Sequence, residues 1–151
     1  MVDDFSNLPS VTQGGGGMDE KDMGVFRLTR EDSTDIGFAT TCLTLSAVSF
    51  DEFRDWLYHV IGASDEWPDY LLDILDLKQK FDYTLHVRRI LGFIPGANLS
   101  DDEYRAVDGI AYRRFPRHQS DGSTKETALT ALARNPRIEQ LFRTLFFAID
   151  W

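Results

Sequence analysis

The chain has 151 residues, 42% of them hydrophobic and 19 aromatic (11 Phe, 5 Tyr, 3 Trp), which suffices for one domain with a real core and excludes global disorder. Its net charge of -9 is uneven: residues 1–103 hold 20 acids and 8 bases, a balance of -12, whereas residues 104–151 hold 5 acids and 8 bases, a balance of +3. A field of the first sign disfavours nucleic acid and anionic membrane and attracts a basic partner. The single Cys42 cannot form an internal disulfide and points to a reducing, cytoplasmic setting. No apolar run is long enough to span a membrane, and the start of the chain, with Asp3 and Asp4, has no secretory h-region.

Residues 1–23 read as a flexible tail or linker, because Pro9, the run Gly14–Gly17 and the charged cluster Asp19–Asp22 bury nothing. The glycines lack the strand, Lys-Ser/Thr pair and helix of a phosphate loop. Residues 24–151 read as a single helical domain. Gly24–Leu28 is short and mixed and leaves room for a brief extended segment. In the next stretch Ile36, Phe38, Thr40 and Cys42 alternate like a strand, while Ile36, Ala39, Leu43 and Ala47 share a helix face. Cap candidates at Asp32, Ser33 and Thr34 favour the helix.

Ser49 with Glu52 has capping-box spacing, and Phe50, Phe53, Trp56, Leu57, Val60 and Ile61 follow at threes and fours. Gly62 is placed to end that helix in the left-handed conformation. Pro68 suits the first turn of the next helix, with Leu71, Leu72, Ile74 and Leu75 as its buried side and Asp69, Asp73 and Asp76 on another. A further helix is expected over Tyr83–Phe93, ahead of Pro95-Gly96. Ser100 with Glu103 opens a helix running to about Arg114, with Tyr104, Val107, Ile110 and Ala111 as its stripe, and Pro116 stops it. Ser123 with Glu126 has the spacing of a third capping box. Asn135-Pro136 supplies cap and first turn for a last helix carrying Ile138, Leu141, Phe142, Leu145, Phe146 and Ile149. The expectation is an all-α fold, a compact bundle of five to six short helices.

The chain offers little catalytic chemistry. His59, His86 and His118 lack the spacing of a zinc helix, and the acids form no calcium loop, so no metal or cofactor is expected. Cys42 lies among apolar residues and reads as a buried structural thiol rather than a nucleophile. The pairs Asp51/Asp55 and Asp69/Asp73 are each one turn apart, which suits a solvated or binding face better than acid–base catalysis. Arg113, Arg114 and Arg117, interleaved with Phe115, are too few for nucleic acid against the overall charge and fit intramolecular pairing near a helix C-terminus.

The order Ser49-Phe-Asp-Glu-Phe-Arg-Asp-Trp56, Pro68-Asp-Tyr-Leu-Leu-Asp-Ile-Leu75, Gly92-Phe-Ile-Pro95 and Gly109-Ile-Ala-Tyr-Arg-Arg114 resembles small bacterial immunity proteins of contact-dependent inhibition and related polymorphic toxin systems. The resemblance covers about residues 36–115 and rests on aromatic, proline and glycine positions. It implies a cytoplasmic, non-enzymatic protein without cofactor that binds the C-terminal domain of one toxin. Asp51–Asp76 holds eight carboxylates against one base, Arg54, and is the expected contact stretch. Its partner-binding residues are expected to be Asp51, Asp55, Asp65, Glu66, Asp69, Asp73 and Asp76, with Trp67 and Tyr70 as aromatic anchors. An adaptor or regulatory subunit that binds through an apolar groove between helices is the alternative.

Overall fold

Ser49 and Ser100 begin helices as their spacing predicts. Each hydroxyl accepts from the amide of the residue three further on, at 3.1 Å, and each Glu52 or Glu103 carboxylate returns the bond to the serine amide. These contacts satisfy amide donors that the first helical turn leaves free. A computed structural model describes residues 26–151, so the expected tail at residues 1–23 lies outside the described residues. Among the described residues there are eight helices and no strand: α1 Thr34–Thr44, α2 Phe50–Ala63, α3 Tyr70–Leu75, α4 Lys80–Thr84, α5 Val87–Leu91, α6 Asp101–Arg114, α7 Lys125–Arg134 and α8 Pro136–Leu145. The all-α class is as expected, with more helices than the five to six anticipated.

One extra helix comes from a break that apolar spacing does not reveal. The expected helix Tyr83–Phe93 is two short ones, because His86 leaves helical geometry at φ -131° and ψ 23°. Gly92, at φ 84°, then ends α5 in the left-handed region. Gly62 does not terminate α2 but lies inside it. Pro68 precedes α3 rather than forming its first turn, its carbonyl accepting from Leu71 N at 3.2 Å. The third cap is Thr124, whose side chain accepts from Thr127 N, in place of a Ser123–Glu126 box.

The stretch that fitted either strand or helix is helix α1, and it ends in a double turn. Ser46 N donates to Leu43 O and Ala47 N to Cys42 O, which places Ser46 at φ 67°. The Ser46 hydroxyl accepts from Lys80 Nζ at 2.9 Å and ties this turn to α4. Helix α6 packs along α7 and also touches α8 and α1. Helix α1 meets α2 and α4, and α3 lies against α2 and α5. All eight helices contribute to one buried cluster, including Leu43, Phe53, Leu71, Tyr83, Leu91, Ile110, Leu132 and Phe142. Cys42 is fully buried, and that burial pushes its thiol well above its ordinary range.

Candidate protein-binding surface

Helix α2 turns Phe53, Trp56, Leu57 and Val60 into the core, which leaves Asp51, Asp55 and Tyr58 on its outward side. Helix α3 buries Tyr70, Leu71 and Ile74, so Leu72, Asp73, the preceding Asp69 and the following Asp76 are exposed. Asp65 and Glu66 stand exposed in the connection between the two helices. Arg54 is engaged elsewhere: its Nη2 donates to the Leu75 carbonyl at 3.0 Å, which fastens α2 to the end of α3. Among the described residues, none of the seven carboxylates Asp51, Asp55, Asp65, Glu66, Asp69, Asp73 and Asp76 forms an ion pair.

The helices α6–α8 treat their acids differently. Arg134 binds Asp102 through Nη2 at 2.6 Å, and chiefly this bond holds the Asp102 carboxyl down at about 2. The Ser100 amide, joined by Arg137, lowers Glu103, and Arg143, joined by Arg113, lowers Glu139. At Glu52 desolvation pushes the carboxyl up, but the Arg114 and Ser49 hydrogen bonds outweigh it and the net shift is downward. Arg114 Nη1 and Nη2 reach Glu52 at 2.9 and 2.6 Å, and Nη1 also donates to Ala47 O at 2.7 Å. The cationic string is thus largely spent inside the molecule, with Arg113 on Glu139 and Arg114 on Glu52.

The expected aromatic anchors need correction. Tyr70 is a core residue, not a contact residue: its ring packs edge-on to Phe93 and its hydroxyl donates to Leu28 O. Trp67 is half-buried against the core and presents only part of its ring. The apolar groups that do stand among the carboxylates are Tyr58, 57% exposed, and Leu72, 49% exposed. Tyr58 was recoverable from sequence, since it follows Asp51 and Asp55 by seven and three positions and so shares their helix side. Leu72, expected on the buried side of α3, is not on it. Tyr104, assigned to the α6 stripe, is also exposed, at 42%.

No family model, no curated protein and no solved structure matches the chain.

One further polar feature had no signature in the sequence. Asp108, in the middle of α6, is buried, and His118 Nε2 lies 2.7 Å from its Oδ1. The His118 ring also meets Tyr112 edge-on at 4.5 Å, and Tyr112 donates to Ser123 O at 2.7 Å. These contacts pin the connection between α6 and α7 onto α6. They border a cleft of about 420 Å³ shared with Thr44, Ser46, Ser120 and Ser123. Among the described residues no group of three or more His, Cys, Asp and Glu side chains is placed to hold a metal ion, and no helix is long and apolar enough to cross a membrane.

Proposed function

We propose that this is a non-enzymatic binding protein, an immunity protein that covers the active site or substrate surface of a basic toxin domain. The observation that supports this most is the seven exposed carboxylates of α2, α3 and their connection, which have no counter-ion among the described residues and have Tyr58 and Leu72 exposed among them. A nuclease-type toxin is basic because it must hold phosphates, and a carboxylate array can stand in for that phosphate charge. Opposite charge speeds encounter, and a few desolvated apolar groups slow dissociation. The resemblance over about residues 36–115 points to the same class, which is cytoplasmic and works without a cofactor.

The test is co-expression with the C-terminal domain encoded by the adjacent upstream reading frame. This chain is expected to restore growth, to bind that domain more weakly as salt rises, and to lose about tenfold or more in affinity on combined Asp69→Lys and Asp73→Lys substitution. An affinity and salt dependence left unchanged by that charge reversal would remove the acidic surface from the interface. Tight but salt-insensitive binding would favour the adaptor reading, in which an apolar groove makes the contact.

A further inference from the structure

A groove of about 380 Å³ separates α2 from the segment that follows α8. Asp55, Trp56 and His59 line one wall, and Phe146, Phe147 and Asp150 are on the other. The other charges that line it, Glu52 and Arg114, neutralise each other as an ion pair. Asp55 and Asp150, both exposed, have no ion-pair partner among the described residues. Phe147 is 62% exposed and is supported by His59, the two rings meeting at 4.8 Å.

Trp56 is 4% exposed, and its indole N–H is buried with no hydrogen-bond partner among the described residues. That nitrogen is closed to solvent, so the indole offers a ligand no donor but lies close enough to the groove to report what enters it. The acids ask for a cation, and the exposed aromatic ring for a flat one on an apolar stem. An arginine carries both: a fork for carboxylates and a plane that stacks on a ring.

We propose that the groove seats one arginine of the partner, with the guanidinium between Asp55 and Asp150 and its plane against Phe147. This rests on the binding-protein reading above and deepens it, since Asp55 belongs both to the acidic side of α2 and to the groove. It singles out one partner side chain as the anchor of the contact.

The experiment is an NMR titration of the ¹⁵N-labelled full chain with the blocked peptides Ac-Leu-Arg-Leu-NH2, Ac-Leu-Lys-Leu-NH2 and Ac-Leu-Gln-Leu-NH2. The arginine peptide is expected to move the Trp56 indole resonance in a saturable way that weakens with added salt. Exposed Asp55→Asn and Asp150→Asn substitutions, which leave the core untouched, are each expected to weaken that response about fivefold or more. A silent Trp56 indole, or an equal response to the glutamine peptide, overturns the proposal. An equal response to the lysine peptide overturns the assignment of arginine. No toxin is needed, so a silent indole condemns the groove alone, while the Asp69 and Asp73 reversal judges the acidic surface by itself.

Discussion

Arg114 joins three separated pieces of chain. Its guanidinium forks onto Glu52, donates to the carbonyl of Ala47, and lies over the rings of Phe115 and Phe142 at 4.7 and 5.9 Å. The side chain is only 9% exposed, so truncation leaves Glu52 half-buried with no cation. Arg114→Ala is expected to lower unfolding free energy in urea by about 3 kcal/mol, and Arg114→Lys to recover only part of it, because an ammonium cannot form the fork. Wild-type midpoints for both variants would show that the pair carries no stability. The sequence marks Arg114 as a cation at a helix C-terminus, but Glu52 is 62 positions away, and no local spacing encodes that partner. The same limit explains Tyr70 and Leu72. On a helix of six residues, the side that is buried depends on what packs against it, here Leu28 and Phe93, rather than on periodicity.

At the level of elements, α6 and α7 meet backbone to backbone at Gly109. A Cβ built on Gly109 would stand 2.5 Å from the carbonyl oxygen of Ala128 and 3.0 Å from Leu132 Cβ, so the two backbones meet only because position 109 has no side chain. Gly109→Ala is expected to force the helices apart and to cost about 1–3 kcal/mol despite the better helix propensity of alanine, read as a lowered thermal midpoint. An unchanged or raised midpoint would mean that α7 shifts without penalty. The sequence announces helix starts better than helix packing. The boxes at Ser49 and Ser100 were legible because donor and acceptor lie within four residues. The break at His86 was not, because Tyr83, Val87, Ile90 and Leu91 keep an apolar rhythm across it. At the α7 start, Ser123 and Thr124 both offer a hydroxyl, and only the fold decides which one is the cap.

Across the described residues most carboxylates fall into two populations, one bound by arginines and one left to solvent, with Asp108 apart from both, buried on His118. For Glu52, Asp102, Glu103 and Glu139 the folded-state pKa is depressed. Each therefore contributes stability that is present in full above the ordinary carboxylate range, near pH 4, and is lost as pH falls through the folded value, about 2 for Asp102. Unfolding free energy is expected to stay level from about pH 7 to about 5 and to fall steadily below about 4.5. Because exposed pairs contribute little, most of that slope belongs to Glu52, and Glu52→Gln is expected to flatten it. An acid limb as steep in that variant as in the wild type would assign the slope to the other carboxylates. The exposure of the second population was readable from helix spacing and charge alone, whereas its apolar companions required the packed structure.

His59 is touched from two directions, by Phe26 at 5.9 Å and by Phe147 at 4.8 Å. The first and last stretches of the described chain therefore converge on one edge of α2, within a turn of Asp55. In practical terms, an affinity handle, fluorophore or fusion partner joined after Trp151 begins one residue from Asp150 on the groove wall. Such a group can obstruct a ligand there or, if it is environment-sensitive, report its arrival, and a label-free comparison becomes the necessary control for any binding experiment on this molecule.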